Sequence, residues 1–476
     1  MLDQALPRTG DLCLTASHKG SFVRILLVSV NRASAPYAVA PLGIAYIAGA
    51  ARADGHDVAL LDLCFSQDVA ADIARAVHRS APELIGVSIR NVDNLTFPAS
   101  VSYLDEIRIA VASLRTQSTA PMVLGGSGFS IFPEQMLSLL GVEFGIIGEG
   151  EETFCLLARH LAGGGEVPDL PNLVRQGGDA CRITRSAAPF AGNGKPARDL
   201  LDNPRYLAVG GMGNLQTKRG CPFRCAYCTY PHIDGGSLRL RPPADVVEEL
   251  ASMVEESGLD EVFFVDDIFT WPPEHALGIC EEIERRDLRV GWTCFATPLG
   301  MTPELARAMK GAGCRGVEFG TDTASPRLLR ALGKPFLQDQ IEAANRACRD
   351  ADLPDAHYLI FGGLGETVDT MAETFAFFDD AVPRAILAFL GIRVYPHTQL
   401  HEVAVSEGVI DASDDLLAPR FYISPKVGAE ALQAAVSVHA SNRPNWVVPG
   451  LGVRSDPALL SALRRMGCRG PLWDRL

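Results

Sequence analysis

The feature that most constrains this chain is a repeated alternation of short apolar runs and segments with helical spacing. Residues 23–30 are an almost unbroken apolar run, the pattern of a strand buried on both faces. Residues 41–51 then show helical spacing, and Gly55 stands where a glycine C-cap is expected. Further apolar runs at 58–62, 84–89, 122–126 and 144–147 alternate with helical patterns at 70–80, 102–115 and 133–140. This interval predicts an α/β, doubly wound, Rossmann-like parallel sheet over residues 22–162, with ligands at the carboxyl ends of its strands. Glycines and prolines break all periodicity over 163–213, which reads as a linker holding at most a short hairpin of 172–175 with 182–184. The alternation then resumes, with strand patterns at 214–219, 261–267, 289–295, 316–321, 357–361 and 386–394. Six β/α units make most of a barrel, so 214–396 is a second domain with its site at the strands' carboxyl ends. Residues 397–476 carry a helical pattern at 428–440 and a Gly/Pro-punctuated tail, and read as a small, loosely packed C-terminal cap.

Composition narrows the function classes. The chain has 476 residues, 47% apolar and 21% charged, which describes a soluble globular protein of two to three domains. A net charge of −14 argues against broad binding to nucleic acid or to anionic membranes. Its 12 cysteines are scattered apart from one triplet, as reduced thiols would be, and residues 1–21 lack an apolar run of signal length. With no uninterrupted apolar stretch long enough to span a bilayer, the expected location is the cytoplasm.

The triplet is Cys221, Cys225 and Cys228, a C-x3-C-x2-C run preceded by Arg219-Gly220 and carrying Tyr227 before its last cysteine. A [4Fe–4S] cube is normally held by four cysteines, so three in one tight loop leave an iron open to another ligand. His232, four residues on, keeps a zinc knuckle open as an alternative. The run resembles that of the radical S-adenosylmethionine (SAM) enzymes. The resemblance implies a partial (β/α)6 TIM-type barrel and SAM bound at the open iron. It also implies reductive cleavage of SAM to a 5′-deoxyadenosyl radical. Upstream, the order strand, Pro41-Leu42-Gly43 helix, Asp54-Gly55-His56, strand, Gly125-Gly126, Gly148-Glu149-Gly150-Glu151 resembles the cobalamin-binding domain found ahead of many such barrels. An ordinary nucleotide-binding or cofactor-free Rossmann-like domain is the competing reading.

The two resemblances imply a site. Cys221, Cys225 and Cys228 would hold the cluster, and the backbone at Gly125, Gly126, Gly148 and Glu149 would lie against cobalamin. Gly362-Gly363-Leu364-Gly365-Glu366-Thr367 resembles the family's Gly-rich turn after the fifth barrel strand, with Leu364 where proline is usual. Gly362 and Gly363 would face SAM adenine or ribose, unless they only close a tight turn. Glu318 matches a strand-end acid that contacts SAM in related enzymes, with a structural ion pair as the alternative. Tyr227 would stack near adenine or pack on the cluster loop. The cobalt-ligating pattern D-x-H-x-x-G is not matched by Asp54-Gly55-His56, so His56 reads as a surface turn residue and cobalt would lack a histidine. Asn91, Asp93 and Asn94 could line that face or merely serve turns. Asp266 and Asp267 could orient substrate or cap a helix, and Arg239 and Arg241 could hold an anion or sit in an exposed ionic surface. His357 and His397 are expected to be structural. No catalytic residue beyond these is legible.

The resemblance therefore implies a cobalamin-dependent radical SAM enzyme that methylates an unactivated carbon of a small-molecule, natural-product or lipid intermediate. Its cofactors would be a [4Fe–4S] cluster, SAM and cobalamin, with a flavodoxin or ferredoxin as electron donor. An oxidative cyclase or ring-rearranging enzyme with the same cofactors is the alternative. A tRNA methylthiotransferase would carry a second cysteine triplet, which Cys13, Cys64, Cys155 and Cys181 do not form. A non-catalytic cobalamin or iron–sulfur protein is the remaining reading.

Overall fold

The computed structural model describes residues 22–35, 37–163, 167–177 and 194–456, with 459, 462–463, 466–468 and 470–475 of the tail. The first alternation folds as expected. β1 (Arg24–Ser29), β2 (Asp57–Asp62), β3 (Leu84–Ser88), β4 (Met122–Gly125), β5 (Phe144–Ile146) and β6 (Leu173–Arg175) form one sheet. Its order is β2-β1-β3-β4-β5-β6. β1 to β5 run parallel, and β1 lies between β2 and β3, so a crevice opens where the order reverses. β6 is antiparallel, pairing Leu173 with Ile146, so the first arm of the expected hairpin, 172–175, extends this sheet. The other arm of that hairpin, 182–184, lies outside the described residues. Leu26, Val28, Ile85 and Leu124 are buried against one layer of helices, Ile25, Leu27 and Val123 against the other, which is why these strands carry no polar face.

The remaining strands follow as β7 (Gly213–Leu215), β8 (Lys218–Arg219), β9 (Arg239–Leu240), β10 (Glu261–Phe264), β11 (Gly291–Ala296) and β12 (Cys314–Asp322). After them come β13 (Asp355–Phe361), β14 (Ala385–Leu390), β15 (Ile392–Arg393), β16 (Phe421–Tyr422) and β17 (Trp446–Val447). The second sheet is parallel with seven strands, in the order β17-β14-β13-β12-β11-β10-β7. Six strands match the expected units; the short β17 adds an edge that the sequence pattern did not announce. Helices such as Pro243–Ser257 and Pro273–Arg285 open on prolines at the first turn, where a missing N–H costs nothing, and cover the outer face. Trp292, Phe264 and Phe269 interlock in that outer core, and Trp292 Nε1 donates to Ala312 O at 2.7 Å.

The described residues 470–473 of the tail are buried and not loosely packed. Leu472 and Trp473 are buried, and Trp473 lies against Gly316 near the amino end of β12, where a Cβ would come within 2.7 Å of the indole. Arg384 holds the same segment through Asp474 at 2.7 Å. Among the described residues no helix is long and apolar enough to cross a membrane.

Candidate cofactor site

The cysteine loop is an excursion between two short strands. β8 and β9 pair antiparallel, and Gly220 starts the turn at φ +92, where a Cβ would stand 2.3 Å from Ser237 O. The loop is docked on both sides. Ala226 N donates to Leu332 O at 2.9 Å, Leu400 N to Ala226 O at 2.8 Å, and Cys221 N to Gly235 O at 2.9 Å. Cys221, Cys225 and Cys228 are all free thiols. Burial pushes the Cys221 thiol up to about 11, and the other two are raised as well, burial again leading. Charged as thiolates, the three would need compensating cations in the loop, which a bound metal centre would supply. Asp267 adds a fourth acid beside them. Its Oδ2 is buried without a hydrogen-bond partner among the described residues, and burial, then Asp234 and Asp266, raise its pKa well above the carboxylate range. His232, which left zinc open, stacks on His397 with ring centroids 4.5 Å apart.

A buried cation approaches the loop from the barrel. Lys334 Nζ lies 2.8 Å from Asp322 Oδ2 and also hydrogen-bonds Cys225. Tyr227 donates its hydroxyl to the same Asp322 oxygen at 2.6 Å, so it anchors the loop to the end of β12. Asp322 holds φ +66, a left-handed conformation uncommon outside glycine and asparagine.

Several expected contacts resolve into contacts within the chain. Glu318 accepts from Tyr358 Oη at 2.9 Å and from Trp473 Nε1 at 2.8 Å, so both its oxygens are engaged inside the barrel. The amides of Gly362 and Gly363 both donate to Glu366 Oε2, the latter at 3.0 Å, and Ser424 N donates to Gly362 O at 2.9 Å. That turn therefore presents surface, not free donors. Asp266 accepts from Thr217 N and Oγ1 and from Lys218 N, tying β10 to the strand that feeds the cysteine loop. Arg239 and Arg241 are not an exposed ionic surface: Arg239 pairs with Glu149, and Arg241 with Glu249 at 2.7 Å. His56 is buried, 3.3 Å from Asp54, and not at the surface. His357 is structural as expected, held by Thr321 at 2.7 Å and Asn345 at 2.6 Å.

A cavity of about 540 Å³ opens at the crevice of the first sheet and reaches the barrel. Gly125, Gly126, Gly148 and Glu149 all line it, on one side, and Tyr230, Asp234, Val265 and Phe295 on the other. Gly126 has φ +98, and a Cβ there would stand 2.5 Å from Ile89 O, so only glycine brings β4 into so close a turn. Glu149 lines the wall but is spoken for. Burial pushes its pKa up, yet Arg239 and Arg219 together hold it below the ordinary range. Arg219 also meets Glu151 at 2.6 Å, so this acidic turn locks the first domain onto the cysteine hairpin. Of Asn91, Asp93 and Asn94, Asn91 alone reaches the cavity; Asp93 pairs with Arg393 at 2.9 Å, and Asn94 caps its own loop through Val101 N.

Sequence reasoning missed Arg90. It follows β3 by two residues, lines the cavity, and has a buried Nε without a hydrogen-bond partner among the described residues. Burial lowers its pKa. The available signal was its position, a cation directly after a buried strand at the crevice.

A Rossmann-like sheet with a Gly-lined crevice, facing an open parallel barrel with a three-thiol loop at its mouth, defines an enzyme built to bring two bound cofactors together. The radical SAM superfamily profile matches residues 215–378 and the B12 binding domain profile residues 28–158. This chain belongs to the radical SAM superfamily, with a B12-binding domain ahead of its radical SAM domain. It is accordingly a radical SAM enzyme that carries a domain for cobalamin. An uncharacterized methyltransferase of Pyrococcus horikoshii is 29% identical over 376 residues, 78% of this chain and 79% of that one. Tryptophan 2-C-methyltransferase of Streptomyces laurentii is 27% identical, over 79% of this chain and 73% of its own. Among solved structures, the radical SAM methyltransferase TsrM of Kitasatospora setae, with cobalamin and a [4Fe–4S] cluster bound, superposes with a TM-score of 0.83. That match has 24% identity and covers 95% of this chain and 97% of the other, so it carries the fold.

Proposed function

We propose that this chain is a cobalamin-dependent methyltransferase that uses a SAM-derived radical to methylate a carbon of a small molecule. The observation that carries the reading is the shared cavity, which joins the Gly125–Gly126 crevice to Val265 and Phe295 of the barrel and to Arg219 and Tyr230, which flank the cysteine loop. The methyltransferase names of the relatives support the transfer of a methyl group. Held there, a cluster would supply reducing power towards SAM and cobalamin would supply methyl-carrying chemistry.

The chain's own residues position these groups. Cys221, Cys225 and Cys228 would hold the cluster. Gly125, Gly126 and Gly148 bring backbone up to cobalamin, and Arg90 faces it with a fixed positive charge. Glu149 acts through Arg219 and Arg239, keeping the two halves of the cavity in register. Tyr227 acts through Asp322, and Glu318, Gly362 and Gly363 shape the barrel wall next to SAM. A low-potential flavodoxin or ferredoxin provides electrons.

The test uses protein reconstituted without oxygen, with iron, sulfide, hydroxocobalamin, SAM and a one-electron reductant. Each product should gain one CH2, with one 5′-deoxyadenosine and one S-adenosylhomocysteine formed beside it. Methylation without 5′-deoxyadenosine refutes the radical half of the proposal. Iron binding and activity retained by Cys225→Ala refute the cluster assignment.

A further inference from the structure

Where the shared cavity meets the barrel, the lumen is walled by aromatic rings. Phe263 of β10 and Phe295 of β11 meet edge to face, with centroids 4.9 Å apart. Phe295 meets Tyr358 of β13 at 6.3 Å, and Tyr358 stacks on Phe389 of β14 at 5.9 Å and 7°. These rings belong to the inward side of their strands. On β11 the neighbours Trp292 and Cys294 point the other way, into the helix-side core. Tyr37, from the loop after β1, comes near enough to Tyr358 to act on its hydroxyl, and it also lines the cavity.

β12 runs between β11 and β13, yet Phe295 and Tyr358 touch across it, because β12 gives the lumen little bulk. Glu318 is engaged by Tyr358 and Trp473. Gly320 has no side chain, is exposed, and has nothing within 4 Å of where a Cβ would stand. Phe295 is 37% exposed although it stands inside a barrel. An apolar ring facing such a space is a wall waiting for contact, and aromatic faces gain most from another ring set offset or edge-on. Glu318, Tyr358 and Trp473 already satisfy one another, so what this wall offers a ligand beside the Thr293 hydroxyl is the open face of Phe295.

We propose that this lumen is the substrate chamber and that it takes a planar, unsaturated ring set beside Phe295 over Gly320. Its place next to the cofactors rests on the function proposed above; its preference for a flat ring does not. Aromatic pairing predicts binding roughly three- to tenfold tighter for an unsaturated ring than for its saturated counterpart of equal carbon skeleton.

The test is calorimetric titration of the cofactor-loaded enzyme with 2-naphthol and with 2-decalol. 2-Naphthol should bind tighter by that margin, and Phe295→Leu should remove the margin. Gly320→Leu places a side chain in open space at an ordinary backbone conformation, and it should abolish 2-naphthol binding. Equal or tighter binding of 2-decalol, no binding of either compound, or wild-type affinity in Gly320→Leu each overturns the proposal. Failure of the protein to take up iron and cobalamin counts against the proposed function instead, since the two titrations read ring preference independently.

Discussion

Glu366 offers a prediction in which sign and size both follow from geometry. It is 1% exposed, and its Oε2 accepts the amide hydrogens of Gly362 and Gly363. Burial pushes its pKa from 4.5 up to about 7, the two amides pulling it back only in part. Below pH 4.5 the group is protonated in folded and unfolded chains alike, and stability is unaffected. Between 4.5 and about 7 the unfolded chain releases a proton that the folded chain keeps, so stability falls as pH rises. Above that range the whole loss stands, about 3 kcal/mol. Glu366→Gln keeps an oxygen for the two amides and has no proton to lose. Urea denaturation of cofactor-free wild type and variant should therefore give a stability difference near zero below pH 4.5. It should grow in the variant's favour by about 3 kcal/mol at pH 8. Other titrating groups are common to both proteins and drop out of the difference. A difference that stays flat with pH would refute the reasoning, because it would mean that Glu366 ionises as easily inside the turn as outside it.

Asp93→Ala strands the buried Arg393 guanidinium, which keeps carbonyl partners at Val394 and Leu416, so thermal unfolding should report a loss of about 3 kcal/mol. Trp473→Phe removes the indole donor from buried Glu318 and should cost about 1–3 kcal/mol in the same assay. The pKa of Glu318, already raised by burial, should rise further. Gly126→Ala forces a side chain against Ile89 O at a positive φ, and cobalamin retained after gel filtration, read by absorbance, should fall at least several-fold.

What the sequence made legible was whatever is local. The cysteine loop could be recognised because its three cysteines lie within eight residues, and the strands because burial on both faces leaves a continuous apolar run such as Ile25–Val28. The glycines at 125, 126 and 148 were found for the same reason, since a turn at a strand end is a local matter. Partners distant in sequence stayed hidden. Nothing near Asp93 announces Arg393, 300 positions on, and nothing near Glu318 announces Trp473. A charged residue at a strand end reads the same from sequence whether it faces a ligand or a guanidinium from the other domain. That ambiguity is why Glu149, Arg239 and Arg241 looked like ligand or surface groups. His56 looked exposed because its neighbours Asp54, Gly55 and Asp57 are turn-like, although the imidazole folds back against the Asp54 carboxylate.

These hidden pairs share a purpose that the motif residues alone do not reveal. Two bound cofactors can react on one substrate only when their seats keep a fixed distance, yet the seats belong to different sheets. The structure spans that gap with charges taken out of water on both sides. Glu149 and Glu151, from the turn that lines the first crevice, hold Arg219 at the foot of the cysteine loop, and Glu149 holds Arg239 across the same hairpin. On the far side Asp93 and Arg393 close the second contact, both almost fully buried. Each pair costs desolvation, so an apolar contact of equal area would serve stability as well. A buried ion pair is instead selective for geometry, because a small slip leaves an unpaired charge in a low-dielectric interior. On that argument the Gly148-Glu149-Gly150-Glu151 turn is a double device, with glycine backbone turned to the cavity and carboxylates turned to the neighbouring domain. Its alternating spacing follows from having to serve both sides of one wall.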